Sequence, residues 1–287
     1  MAFSVPALTF GPSQPHSIAE IAGWVVDRVG AAARAGSGGG GEAARVGSPA
    51  IETGPARIGA AAACGGADRR GAARGEATVG KSDRRAIVLV DGPGGSGKST
   101  FARRLVGAIN AHEPTSVPAP RPHANLVAVD DVSWWLHPLN WADAMLDGVV
   151  GPWLAGQNVD YRPPGWVEKG RPGSIKATAA ALGEPGQPVV NILVIEGMAA
   201  ARSDLASMAS YIIWINTDPQ VARDRLIARD LELGENGGTL DGVTQFTEAY
   251  DATIAPLYAR ERPWERADLV VNLTTVRPDG LFEVVRQ

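Results

Sequence analysis

The chain has 287 residues, 45% of them hydrophobic, with a formal net charge of -4, one cysteine and four histidines. This balance offers no electrostatic footprint for nucleic acid or an anionic membrane; Cys64 alone forms no internal disulfide, and His16, His112, His123 and His137 lack the spacing of a zinc site. No run approaches the roughly 18 apolar residues of a membrane span, and residues 1–15 lack the basic stretch and apolar core of a secretory signal, so the expectation is a cytoplasmic protein with no membrane partner.

In chain order, Ser17-Ile18-Ala19-Glu20 spells a capping box. Ile18, Ile21, Val25, Val26 and Val29 continue it as an amphipathic helix that docks on the core, giving an N-terminal segment over 1–34. Residues 35–83 are Gly, Ala, Arg and Ser with almost no large apolar side chain, the composition of a disordered linker.

From residue 84 to 287 strand and helix patterns alternate. Short apolar runs at 86–90, 125–129, 191–195, 211–215 and 269–273 read as buried parallel strands. Helical patterns are expected over 99–111, 140–155, 173–182, 219–232 and 242–260. The alternation predicts an α/β three-layer sandwich: a parallel sheet of about five strands, helices on both faces, and ligands at the carboxyl ends of the strands. Residues 134–186 read as an insert between strands and 223–240 as a further helical segment; the resemblance given below implies that they serve as acceptor side and lid.

The first strand runs into Gly92-Pro93-Gly94-Gly95-Ser96-Gly97-Lys98-Ser99-Thr100, a complete phosphate-binding loop followed by an amphipathic helix. Glycines let the backbone approach an anion, successive amides and the helix N-terminus cradle phosphates, Lys98 reaches the outer phosphate oxygens, and Ser99 takes a place on Mg²⁺. Asp130 and Asp131 end the second strand, Glu196-Gly197 ends the third, and Arg223, Arg225 and Arg229 follow the fourth. Asp218, between Thr217 and Pro219, reads as a helix cap.

Residues 84–275 resemble the uridine kinase, phosphoribulokinase and bacterial pantothenate kinase group of P-loop kinases. Four motifs carry the likeness: Asp91 through Thr100; Asp130-Asp131-Val132-Ser133-Trp134; Val194-Ile195-Glu196-Gly197; and Asn216-Thr217-Asp218-Pro219 leading into Arg225-Leu226-Ile227-Ala228-Arg229-Asp230. The resemblance implies ATP and Mg²⁺ as cofactors and transfer of the γ-phosphoryl group to a hydroxyl of a small molecule, such as a nucleoside. It implies that Lys98 and the loop amides hold the phosphates and that Ser99, Glu196 and Asp131 serve the metal. Asp130 or Asp131 would activate the acceptor, and Arg225 and Arg229 would close over the transferring group. The chain departs from the family pattern where Leu231 to Glu235 supply no further arginine and where Val132 and Ser133 replace an aromatic residue.

Trp134, Trp135, Trp141, Trp153, Tyr161 and Trp166 concentrate between the second and third strands. A flat acceptor would stack on such rings. Within the shaped loop 161–166, Tyr161, Arg162 and Trp166, together with Trp134, are the candidate acceptor contacts. An alternative is an ATP-binding or hydrolysing switch or a partner-binding protein without a small-molecule acceptor; a guanine-reading Asn-Lys-x-Asp is absent.

Overall fold

The computed structural model describes residues 8–35, 83–113, 120–180 and 189–287. The expected linker falls almost wholly outside the described residues. In order, the elements are β1 (Gln14–His16), α1 (Ile18–Ala35), β2 (Asp83–Asp91), α2 (Lys98–Asn110), β3 (Arg121–Ala128), α3 (Val129–Ser133) and α4 (Ala142–Met145). A π-helical turn (Leu146–Val150) leads into α5 (Gly151–Leu154), β4 (Val159–Tyr161), α6 (Pro164–Glu168) and β5 (Ile175–Ala177). The last third carries β6 (Val189–Glu196), α7 (Ser203–Ala206), β7 (Tyr211–Asn216), α8 (Pro219–Leu233), α9 (Leu240–Glu261), β8 (Leu269–Asn272) and β9 (Phe282–Arg286).

The main sheet has seven strands in the order β1-β9-β8-β7-β2-β6-β3. The five from β8 to β3 are parallel, as expected; β9 and β1 add to one edge in antiparallel sense. Those two strands escaped prediction because each is short and half exposed, without the continuous apolar run that marks a strand covered on both faces.

Side chains of β2 alternate between two cores. Ile87 and Leu89 point into a layer with Trp141, Trp153, Trp214 and Tyr258, whereas Val88 and Val90 meet Phe101, Leu105 and Ile109 of α2 and Ile21 and Val25 of α1. The capping box at the start of α1 is formed, with the Glu20 amide donating to Ser17 Oγ at 3.2 Å and the Ser17 amide to Glu20 Oε2 at 2.8 Å. Asp218 caps α8 as expected, accepting from the amides of Gln220 and Val221.

One element differs in kind. Part of the helix expected over 173–182 is the strand β5, paired antiparallel with β4, and residues 181–188 lie outside the described residues. Ile175 and Ala177 are buried while Lys176 between them is exposed, a period of two. The backbone beyond them is held extended: the amides of Thr178 and Ala180 donate to the side-chain oxygens of Asn125 and Asn191. Those long-range partners outweigh a local helix too short to be stable alone.

Candidate active site

The carboxyl ends of β3, β6 and β2 lie side by side, and register decides what meets there. Val90 pairs with Glu196, and Ala128 with the same Glu196. The residues that follow, the phosphate loop on one side and Asp130 on the other, therefore flank the Glu196 carboxylate.

The loop closes tightly. The Ser96 amide donates to the Pro93 carbonyl at 3.2 Å, and the Ser96 carbonyl accepts the Thr217 hydroxyl at 3.0 Å. Gly95 has φ +71, and a Cβ there would lie 1.9 Å from the Ala222 carbonyl oxygen; no other residue fits under α8. Gly97 caps α2 at φ 93, aiming the first helical amides at the loop. Lys98 is buried, with Nζ 3.4 Å from the Pro93 carbonyl. The Ser96 hydroxyl is buried without a partner.

Ser99 Oγ donates to Glu196 Oε2 at 3.1 Å. Burial raises the Glu196 pKa above the usual carboxylate range; Lys98 opposes that, Asp130 adds to it, and the Ser99 hydrogen bond and Arg103 oppose it further. The two aspartates after β3 separate in role. Asp131 is bound to Arg171 Nη2 at 2.9 Å, and its carbonyl accepts Trp166 Nε1 at 2.8 Å. Asp130 is exposed and acts electrostatically on Glu196 and on Tyr250 of α9, whose phenol is pushed up to about 12, mainly by burial.

Among the described residues no group of three or more His, Cys, Asp or Glu forms a metal cage. Mg²⁺ typically takes one or two protein oxygens together with waters and substrate phosphates. Ser99 and Glu196 provide two converging oxygens beside the loop, a donor set that fits.

The candidate acceptor contacts divide. Trp166 is buried in the core, not on an exposed loop, because Pro164–Glu168 forms a helical turn that carries it inward. Arg171 stacks over its ring at 3.8 Å and reaches over Trp134 at 5.2 Å. Tyr161 packs into the space left by Gly148, where a Cβ would meet its ring at 2.4 Å. Arg162 braces the Arg171 carbonyl at 2.9 Å. Trp141 and Trp153 are core, whereas Trp135 is 64% exposed, at φ 68, beneath Lys169.

The arginines of α8 also separate. Arg225 donates to the carbonyls of Leu273 and Thr274, and Arg229 to Asp230. Arg223, bound to Glu248 at 2.9 Å, lines a narrow cleft with Pro93, Gly94, Met198 and Asp251 and is the α8 arginine beside the loop tip. A second cavity of about 260 Å³ opens next to Gly97, Thr100, Arg104, Arg225 and Leu273. The reading from sequence missed Arg223's place, Arg171 and the buried Asp91–Tyr258 contact; only the last had a local signal, an aspartate ending an apolar strand immediately before the loop.

No family model matches the sequence, and no curated protein does. Similar solved structures include a putative fructose transport system kinase from Silicibacter sp. TM1040, at 20% identity and TM-score 0.41, covering 61% of this chain and 86% of that one. A possible uridine kinase from Bacillus stearothermophilus is 14% identical at TM-score 0.35, covering 65% and 88%. The YGR205w protein is 13% identical at TM-score 0.43, covering 66% and 85%. With TM-scores below 0.5, these likenesses add no weight to a function; the residues of this chain must carry it. No helix among the described residues is long and apolar enough to cross a membrane.

Proposed function

We propose that the protein transfers the γ-phosphoryl group of ATP to a hydroxyl of a small molecule. The observation that carries this reading is the convergence of Lys98, the Ser99–Glu196 hydrogen bond and Asp130 at three adjacent strand ends. A phosphoryl transferase needs a phosphate cradle, a metal position and a carboxylate facing the acceptor, and positioning supplies most of its catalysis.

The amides of residues 94–99 and Lys98 bind the phosphates. Ser99 and Glu196 hold Mg²⁺, which neutralises charge on the phosphate oxygens when bound. The cavity bounded by Thr100, Arg104, Arg225 and Leu273 is continuous with the loop and suits the nucleoside end of ATP. Asp130 orients the acceptor hydroxyl or takes its proton, since Asp131 is engaged by Arg171. Arg223, beside Gly94, is placed to meet charge on the transferring group, while Arg225 and Arg229 brace α8. Trp134 and the exposed Trp135, which follow Asp130 by four and five residues, are rings available for an acceptor to stack on.

Mg·ATP turnover measured against nucleosides, pantothenate, sugars and sugar phosphates tests the proposal. One acceptor should stimulate ADP release, and Lys98→Ala and Asp130→Ala should each abolish the stimulation. Hydrolysis indifferent to every acceptor and to Asp130→Ala would instead make the protein an ATP-dependent switch.

A further inference from the structure

Asp91 ends β2 and is fully buried, yet its carboxylate collects donors from three separate stretches of chain. Oδ1 accepts from the Gly92 amide at 2.7 Å, the Ala199 amide at 3.0 Å and the Tyr258 hydroxyl at 2.7 Å; Oδ2 accepts from the Ala201 amide at 2.9 Å. The Tyr258 oxygen itself accepts from the Ala199 amide at 3.0 Å, and its hydroxyl lies 2.7 Å from Asp91 Oδ1 and 3.3 Å from the Gly92 carbonyl.

Two features go beyond ordinary core filling. Ala199 sits at φ 61, a left-handed backbone that is strained for an alanine and persists only where its surroundings impose it. Both acceptors of its amide belong to this pair. Moreover, the segment so held begins directly after Glu196, and its first amide, that of Gly197, donates to the Val90 carbonyl at 3.1 Å. The start of the phosphate loop, the segment after Glu196 and the C-terminal half of α9 thus share one buried carboxylate.

We propose that Asp91 and Tyr258 form a positioning pair that sets the Glu196 carboxylate against the phosphate loop, so that metal and phosphate sites are held at one spacing. Both side chains are buried, Asp91 fully and Tyr258 at 2% exposure, so the role is one of positioning. The role rests on the kinase reading above: it predicts that loosening the pair harms the Mg²⁺-supported part of nucleotide binding and leaves the loop's own grip on phosphate intact. Tyr258→Phe leaves Lys98 and the Ser96 amide bond to the Pro93 carbonyl in place, and removes at the loop only the 3.3 Å contact with the Gly92 carbonyl. A purely structural hydroxyl would affect both parts alike.

Tyr258→Phe in the full chain decides the matter, with ATP affinity measured by calorimetry in excess Mg²⁺ and again in chelator. Mg²⁺-supported affinity should fall about tenfold, the size expected when one hydrogen bond to a carboxylate is lost, while affinity in chelator changes less than about twofold. Before nucleotide is added, the Ala199 amide should exchange about tenfold faster by NMR, with the fold retained. Asp91→Asn, which sets an amide nitrogen against the Ala201 N–H, should show the same selective loss more strongly; should it fail to fold, Tyr258→Phe decides alone. Equal losses with and without Mg²⁺, or unchanged Ala199 exchange, overturn the positioning role and leave the kinase reading standing. A wild-type protein that binds no ATP under either condition overturns the kinase reading and this role with it.

Discussion

Ser99 Oγ and Glu196 Oε2 lie 3.1 Å apart, joining the first turn of α2 to the end of β6 across the carboxyl edge of the sheet. Replacing Glu196 by Gln keeps the shape and removes the charge. Mg·ATP turnover should fall by about 10²-fold or more, the range seen when one preorganised electrostatic partner is lost. ATP binding in chelator should change little. Coupled assay of ADP release together with calorimetry checks both, and equal losses in the two would sink the metal assignment.

Asp130 and Asp131 should behave differently although they are neighbours in sequence. Asp130→Asn should lower acceptor-stimulated turnover by about 10²- to 10⁴-fold without altering the melting temperature. Asp131→Asn removes only a half-exposed pair with Arg171, worth at most about 1 kcal/mol. Steady-state kinetics on the two variants decide the assignment; the reverse order of effects would make Asp131 the acceptor-side carboxylate.

Burial raises the Asp91 carboxyl to about 6, against hydrogen bonds from Tyr258, Ala201 and Gly92 and the charge of Lys98, all of which favour the anion. A carboxyl whose folded pKa exceeds its unfolded value holds its proton more tightly in the native state, so its stabilising contribution is present below about pH 4 and lost as pH rises through 6. The unfolding free energy of the wild type relative to Asp91→Asn should therefore fall by about 3 kcal/mol between those limits. Urea titrations of both proteins across that range measure it, and parallel profiles would refute it.

Trp153 and Trp135 lie in one tryptophan-rich insert but differ in environment. Trp153 is fully buried and donates to the Ala86 carbonyl at 3.3 Å, so Trp153→Ala should cost about 3–5 kcal/mol. Trp135→Ala should change stability by no more than about 0.5 kcal/mol but raise the acceptor KM. Urea midpoints and acceptor titrations separate the two effects.

The central sheet was legible because parallel strands covered on both faces must be apolar at nearly every position, and residues 86–90, 191–195 and 211–215 show that run. The strand–turn–helix at residues 83–110 was legible because its glycines and the apolar runs on either side mark a tight turn between a buried strand and a helix. Helix ends at Ser17 and Asp218 were readable for the same reason: a cap bonds within three residues of itself.

Interactions that close over long stretches of chain were hidden. Nothing local marks Asn125 and Asn191 as partners of the 178–180 backbone, so β5 read as helix. Nor does local sequence separate Trp153, facing the sheet, from Trp135, facing solvent, or Asp131, taken by Arg171, from the exposed Asp130. The sequence by itself determined the layered α/β class and the glycine-rich turn between β2 and α2, since both follow from periodicity and spacing within about a dozen residues. Only tertiary structure decided which carboxylates, arginines and rings lie together, because strand register and side-chain packing bring together groups far apart in the chain, such as Asp91 and Tyr258, 167 positions apart.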